Sequence, residues 1–228
     1  MPLDKVIDFS GVPVFQRDAL ILTDVSFTIE KGEFVYIIGR TGSGKSSLLK
    51  TLYAELPVKS GSAHVAGYDL RKLRSREVPY LRRKLGIVFQ DFQLLTDRNV
   101  NENLLFVMKA TGWKDKRKME SRMEDVLEKV GLGTKGFKMP YQLSQGEQQR
   151  VGVARALVND PDIVLADEPT GNLDPESSRG IMNLLFDIRK SGRAVIMATH
   201  DYSLFRDFKA RTLKCEKGKM EALKYEIN

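Results

Sequence analysis

The stretch Gly39-Arg40-Thr41-Gly42-Ser43-Gly44-Lys45-Ser46 decides the fold. It matches in full the phosphate-binding loop pattern G-x-x-x-x-G-K-[ST]. Its flanks agree, because the apolar run Phe34–Ile38 before it is typical of a buried strand and the residues from Ser47 onward are compatible with a helix. Glycines let backbone N–H groups curl around phosphate oxygens, and the start of a helix adds a favourable dipole. The stretch therefore predicts a strand–loop–helix unit that binds a nucleotide.

Two side chains of this loop have distinct expected roles. Lys45 is expected to neutralise the β- and γ-phosphates, and the hydroxyl of Ser46 can ligate Mg²⁺. A glycine-rich turn without a ligand is the alternative interpretation. The residues expected to contact the nucleotide are Gly39, Arg40, Thr41, Gly42, Ser43, Gly44, Lys45, Ser46 and Ser47.

An acidic pair follows a second apolar run, Ile163–Ala166. Ligands of open α/β sheets lie beyond the carboxyl ends of the strands, where Asp167 and Glu168 are expected. Asp167 is assigned to Mg²⁺, through water, and Glu168 to the general base that polarises the attacking water. Acids that end a strand are often only the start of a loop, so the assignment depends on the phosphate loop beside it.

The segment Leu143-Ser144-Gln145-Gly146-Glu147 opens a predicted helix. Ser144 and Glu147 form the pattern of a capping box, which satisfies a helix end without any ligand. A serine hydroxyl and a glycine N–H at a helix start also suit a γ-phosphate. Both interpretations stay open at this point.

The rest of the chain alternates strand-like and helix-like patterns, which predicts a sheet layered with helices. Further buried strands are expected at Leu85–Phe89 and Ala194–Thr199, another strand at Val25–Ile29, and amphipathic helices around 123–130 and 181–188. No strand pattern occurs between residues 92 and 141. No internal repeat, bilayer-spanning apolar run or secretory leader is found, and the single cysteine, Cys215, fits a reducing compartment.

The chain of 228 residues has 37 basic and 30 acidic side chains, a net charge of +7. The segment 71–84 has seven basic side chains and one acidic, so it sums to +6 and holds most of this surplus. A solvated surface is the simpler interpretation, and a docking surface for anionic lipid or nucleic acid is the other.

The phosphate loop, LSQGEQQR, LADEP, Gln90 after one strand and His200 after another occur in the order of a known family. Together they resemble the ATP-binding cassette ATPases, over roughly residues 6–215. The resemblance implies an α/β fold: a RecA-like P-loop core, an N-terminal antiparallel β subdomain and an inserted α-helical subdomain at about 92–145. The 228 residues would be one cassette domain. It also implies that two cassettes enclose two ATP molecules. Each phosphate loop would face the helix that begins at the signature sequence LSQGE (143–147) of the other subunit.

The resemblance implies further roles, residue by residue. Glu168, His200 and Lys45 would be catalytic, His200 through the γ-phosphate, and Gln90 would sense Mg²⁺ and the attacking water. Phe15 stands where the family usually has a tyrosine that stacks on adenine; ordinary core packing is the alternative. Three residues would meet ATP across the dimer: Ser144, Gly146 and Asp174.

Two of these positions have alternative explanations, and the signature departs from its pattern. Asp174 before Pro175 also suits a helix start, and a lone histidine such as His200 is often structural. The signature commonly reads LSGGQ, whereas Gln145 replaces its first glycine and Glu147 its final glutamine. The departure concerns the flexibility of the loop and the hydrolysis rate more than ATP binding.

Within the family, the REVPYLRRK segment at 76–84 and LLTDR at 94–98 most resemble the bacterial cell-division cassettes. That resemblance implies an FtsX-like membrane subunit docking near Gln90 and the helical insert, control of peptidoglycan hydrolases, and a peripheral place on the cytoplasmic face of the inner membrane. The lipoprotein-release and macrolide-efflux cassettes are the alternative. A soluble nucleic-acid-associated ATPase and a binding module without hydrolysis remain more remote.

Overall fold

The computed structural model describes residues 4–223. Its N-terminal part is an antiparallel sheet whose first two strands, β1 (Lys5–Gln16) and β2 (Ala19–Glu30), form a hairpin. β4 (Ser62–Val65) pairs with β1, and β5 (Tyr68–Asp69) pairs with β4. This sheet corresponds to the predicted antiparallel β subdomain.

A second sheet of six strands forms the centre of the molecule. Its strands are β3 (Phe34–Ile38), β6 (Leu85–Val88), β7 (Ile163–Asp167), β8 (Ala194–Thr199), β9 (Arg211–Glu216) and β10 (Lys219–Ala222). They lie in the order β10-β9-β3-β8-β7-β6, and all neighbours are parallel except β10 and β9. The expected strands at 34–38 and 194–199 have these bounds, whereas β6 ends one residue before Phe89.

Six α-helices are described: α1 (Lys45–Leu52), α2 (Val78–Arg83), α3 (Val100–Ala110), α4 (Lys116–Lys129), α5 (Gln145–Leu157) and α6 (Pro175–Lys190). A short 3₁₀ turn, Pro140–Gln142, precedes α5. Between β6 and β7 the described chain has helices and loops but no strand. The boundaries 92–145 for a helical insert remain a prediction.

The central sheet is buried on both faces, which explains its continuous apolar strands. Phe34, Tyr36 and Ile38 of β3 pack into one cluster with α3 to α6. Val35 and Ile37 point the other way, into a cluster shared with α1 and the antiparallel sheet. A strand covered on both sides has no reason to alternate with polar residues.

The two sheets meet near the end of the described chain. The backbone N–H of Thr23 in β2 donates to the carbonyl of Gly218, 2.8 Å away, in the turn between β9 and β10. The carboxyl ends of β3, β6, β7 and β8 lie at one edge of the central sheet, because these strands are parallel. This edge is where the sequence motifs converge.

Candidate functional site

The phosphate loop connects β3 to α1, and two of its glycines, Gly39 and Gly44, are required by space as well as by conformation. Gly39 has φ 154° and Gly44 has φ 100°. A Cβ at Gly39 would collide with the carbonyl oxygen of Cys215 in β9, and one at Gly44 would lie 2.7 Å from Ile21 of β2. The loop is therefore enclosed by strands from both ends of the chain.

Lys45 turns back into its own loop. Its side chain is only 6% exposed. The ammonium donates to the carbonyl of Gly39 at 2.8 Å and lies 3.3 Å from a carboxylate oxygen of Glu168. These contacts satisfy the buried charge. The loop thus holds its cation beside the acid that follows β7.

Glu168 is held from several sides. It has a positive φ of 47°, an uncommon backbone conformation for a residue with a side chain. Its N–H donates to the carbonyl of Ala198 in β8 at 2.9 Å. One oxygen of its carboxylate lies 2.9 Å from Nδ1 of His200, and the other accepts from the His200 backbone N–H at 3.2 Å. Lys45, Glu168 and His200 therefore form one connected group.

Asp167 and Ser46 form the second contact between β7 and the loop. The Ser46 hydroxyl donates to an oxygen of Asp167 at 3.1 Å. Burial raises the pKa of Asp167, although the Ser46 hydrogen bond acts in the opposite direction. A hydroxyl and a carboxylate oxygen are hard donors of the kind that Mg²⁺ prefers, completed by water and substrate phosphates. In residues 4–223 no group of three or more His, Cys, Asp or Glu side chains could hold a metal, so phosphate and water oxygens would have to supply the remaining ligands.

Gln90 is fixed by the loop that follows Glu168. Its amide donates to the side-chain oxygen of Asn172 at 3.3 Å, and the Asn172 amide donates back to the Gln90 carbonyl at 3.2 Å. A Cβ at Gly171 would approach the Gln90 amide to 2.9 Å. The motif strings did not reveal this pairing, because Asn172 lies 82 residues from Gln90.

One cavity of about 480 Å³ collects most of the predicted residues. Nine of them line it: Thr41, Gly42, Gly44, Lys45, Ser46, Ser47, Gln90, Glu168 and His200. Asp167 does not line the cavity, but it accepts a hydrogen bond from Ser46, which does. The backbone carbonyls of Gly39 and Arg40 accept from the Lys45 ammonium. The hydroxyl of Ser43 is buried without a hydrogen-bond partner in the described chain. Sequence analysis missed the lining residues Gln16, Ile21 and Lys50, which belong to no motif string.

Phe15 lies apart from these lining residues. Its side chain is half-buried, belongs to neither apolar cluster, and has the ammonium of Lys59 4.3 Å above its ring. Ordinary core packing therefore does not account for it. Stacking on adenine remains a prediction.

Ser144, Gly146 and Asp174 also lie outside the lining of this cavity. Ser144 caps α5: its hydroxyl accepts from the N–H of Glu147 at 3.2 Å, and the Glu147 carboxylate accepts from the Ser144 N–H at 2.9 Å. Asp174 caps α6 by accepting from the N–H of Ser177 at 2.9 Å. Hydrogen bonds from Ser177 hold the pKa of Asp174 below its usual range. Both helix-capping interpretations are present in the structure, and neither excludes contact with a second subunit.

Gly146 and Glu147 show what the unusual signature does locally. A Cβ at Gly146 would lie 2.6 Å from the hydroxyl of Ser177, so α5 and α6 approach each other closely there. Glu147 forms an ion pair with Lys135, and this pair holds the pKa of the Glu147 carboxyl below its usual range.

Part of the basic segment 71–84 is used inside the molecule. Arg71 donates to the carbonyl of Gly61 at 3.1 Å and Arg82 to that of Tyr53 at 3.0 Å. Lys84 lies 3.3 Å from Asp162, and Lys72 lies 3.4 Å from Asp69. Arg74 and Arg76 are exposed, and their side chains have no ion pair or hydrogen bond within residues 4–223. The free positive charge of this segment is therefore smaller than its sequence indicates.

No helix among the described residues has the length and apolar character needed to cross a bilayer.

Comparison with known proteins gives consistent matches. A family model described as "ABC transporter" matches residues 22–171. "Cell division ATP-binding protein FtsE" of Streptococcus pneumoniae serotype 2 is 42% identical over 209 residues, 92% of this chain and 90% of that protein. The protein of the same name from Mycobacterium tuberculosis is 46% identical over 199 residues, 87% and 86% of the two chains. The solved "Dimeric Structure of MJ0796, a Bacterial ABC Transporter Cassette" has a TM-score of 0.81 at 31% identity and covers 96% of this chain and 99% of that chain.

Proposed function

The chain belongs to the ABC transporter family, and from this premise we propose that it is the ATP-hydrolysing cassette of a bacterial cell-division system. Membership of the family makes it an ATP-binding ATPase. The cell-division role rests on the relatives named FtsE, which match nearly the full length of the chain. The observation that carries the chemistry is the group of Lys45, Glu168 and His200 at one edge of the central sheet.

The hydrolysis step is derived from that group. When ATP binds, the Lys45 ammonium leaves its ion pair with Glu168 and pairs with the β- and γ-phosphates instead. The freed Glu168 carboxylate orients a water on the γ-phosphorus and takes its proton as the oxygen–phosphorus bond forms and the bond to ADP breaks. His200 donates a hydrogen bond to the γ-phosphate, and Gln90 holds the water from the opposite loop.

Ser46, Asp167 and Gln90 are the residues that would hold Mg²⁺, Asp167 through water. The ion neutralises charge that develops on the phosphate oxygens. The 3.1 Å contact between the Ser46 hydroxyl and Asp167 supports this assignment, because it brings two oxygen donors together at the mouth of the loop.

A homodimer explains the residues that stand apart from the cavity. Ser144, Gly146 and Asp174 do not line their own subunit's site, so they meet a nucleotide only if a second copy supplies it. The dimeric cassette to which this chain is similar supports the same arrangement. Phe15 would stack on adenine, with its ring already approached by Lys59.

A membrane subunit of the FtsX type is the proposed partner, which would place the chain on the cytoplasmic face of the inner membrane. A groove of about 440 Å³ between α2, α3, α5 and β6 suits this docking, and its lining includes Val107 and Arg155. Arg155 also donates to the carbonyl of Phe92 at 2.8 Å, in the loop that begins at Gln90. The groove therefore touches the loop that senses the nucleotide.

Glu168→Gln tests the chemistry. The variant should bind ATP, turn it over very slowly and run as a dimer in ATP, since the amide cannot accept the proton. The measurement is phosphate release together with size-exclusion chromatography with and without ATP. Turnover at the wild-type rate would move the base to another residue.

The biological role needs a separate experiment in the host. Depletion should block division, and wild-type protein, but not Lys45→Ala, should restore it. The protein purified from solubilised membranes should bring down a permease-like subunit. Normal division with accumulation of an unreleased lipoprotein or of a drug would instead assign the cassette to a transporter.

A further inference from the structure

Gln149 is a buried polar side chain to which the proposed mechanism gives no role. It lies in the second turn of α5 and is 0% exposed. Its amide nitrogen donates to the carbonyl of Phe89 at 3.1 Å and to the carbonyl of Pro169 at 2.8 Å. These two carbonyls belong to the residue before Gln90 and the residue after Glu168.

The orientation of this amide is fixed by its surroundings. If it were turned over, its oxygen would face two carbonyl oxygens, which repel it, so the nitrogen must point toward Phe89 and Pro169. The amide oxygen is buried and has no partner within residues 4–223. A buried acceptor without a partner costs free energy. The two hydrogen bonds that the Gln149 amide nitrogen donates are therefore the contacts that hold this side chain in place.

We propose that Gln149 is a positioning residue for ATP hydrolysis, which holds the loops of Gln90 and Glu168 at a fixed separation against α5. The inference rests on the proposed function. Glu168 has a strained backbone, with φ 47°, and its loop also packs on Gln90 through Asn172. Removing the amide takes this donor away from the carbonyls of Phe89 and Pro169, so the loops of Gln90 and Glu168 both relax.

Gln149→Met is the main test, because methionine has nearly the same shape and no donor. The matched control is Gln148→Met, since the neighbouring Gln148 donates only to the carbonyl of Leu143, at 3.2 Å, before the same helix. We expect kcat to fall at least tenfold in Gln149→Met, with the Kd for ATP within twofold of wild type. We expect Gln148→Met to keep kcat within twofold.

Three results would overturn the proposal: a kcat for Gln149→Met within twofold of the control, a loss of ATP affinity as large as the loss of kcat, or unfolding by both variants at the same lowered temperature. Gln149→Glu provides a second variant of the same size, whose carboxylate cannot donate to both carbonyls, and it should lose kcat to a similar extent.

Combination with Glu168→Gln shows whether Gln149 acts through the base. If it does, Gln149→Met should lower kcat less than twofold in the Glu168→Gln background, because there is no longer a base to misplace. A full additional tenfold loss would contradict the proposal. A wild-type protein that does not hydrolyse ATP would instead refute the proposed function itself.

Discussion

Lys45 shows how one side chain can be essential in two ways. Its charge is needed for the phosphates, and in the structure it pairs with the Glu168 carboxylate while its ammonium donates to the Gly39 carbonyl. Lys45→Ala should abolish ATP binding in a titration with a fluorescent ATP analogue. Lys50→Ala is the control: Lys50 lines the same cavity, but its ammonium pairs with Glu55 at 2.9 Å. Near-normal affinity of Lys45→Ala would refute the phosphate-loop assignment.

Glu147 allows a prediction on pH and stability. Lys135 lowers the pKa of Glu147 in the folded protein, so the pair stabilises the fold above the usual glutamate pKa and stops doing so as the pH falls through the lower, folded value. Glu147→Gln keeps a cap for the Ser144 N–H but loses the charge, at a cost of about 0.5 kcal/mol. The melting temperatures of wild type and variant should differ at pH 7 and converge in acid. A constant difference at every pH would point to lost packing instead.

At the residue scale, sequence analysis found the side chains whose spacing is set by one continuous motif. It named Lys45, Glu168 and His200, but it did not predict that Glu168 contacts both of the others. It also missed Asn172 and Gln149, because their partners lie 82 and 20 to 60 residues away. Such contacts depend on how three loops meet, which no local pattern records.

The close contact between α5 and α6 at Gly146 can be tested with a second substitution that restores stability. A methyl group at Gly146 would push against the side chain of Ser177. Gly146→Ala should therefore lose about 1–3 kcal/mol of stability by overpacking. Adding Ser177→Gly removes the obstacle and should restore most of the stability in chemical denaturation. If the double variant recovers stability but not hydrolysis, Gly146 must also approach the phosphate closely.

The start of α3 depends on a single buried asparagine. The amide of Asn103 donates to the carbonyls of Leu95, Arg98 and Asn99, each at 3.0 Å, and its oxygen accepts from the Leu95 N–H at 2.8 Å. Asn103→Leu would leave the Leu95 N–H and the Arg98 carbonyl without their partner, and we expect it to cost about 3 kcal/mol. Exposed Asn101 on the same helix is the control, since Asn101→Leu should change unfolding by less than about 0.5 kcal/mol. Equal effects would mean that the loop is held by other contacts.

Most of the strands that sequence analysis found are buried on both faces, such as β3 and β8, whose residues are apolar with little interruption; the exception is Val25–Ile29, which lies in β2. It did not identify β1 as a strand. The pairing of β1 with β2 has several register irregularities, so buried and exposed residues do not alternate regularly along it. β5, with two residues, is too short to leave any pattern.

The net charge of the whole molecule bears on where it binds. Arg74, Arg76 and Tyr80 are all exposed within one short stretch of the chain, a composition suited to anionic lipid headgroups. We expect Arg74→Glu with Arg76→Glu to weaken binding to anionic vesicles at least about tenfold, at about 1 kcal/mol per basic side chain. The matched control reverses Arg117 and Lys118, which are exposed on α4. Equal weakening by both pairs would mean that only total charge matters, and no weakening would leave the segment as a solvated surface.

The enclosure of the phosphate loop by β2 and β9 has a consequence for synthesis on the ribosome. β3 leads into the loop and is the neighbour of β9, so it has an unpaired side until residues 211–214 exist. A nascent chain that ends at residue 205 already contains every motif but lacks this neighbour. We expect such a chain to bind ATP far more weakly than the full chain in a pull-down on immobilised nucleotide; equal retention would refute this. ATP would then select finished molecules, and an interrupted chain would not enter a dimer.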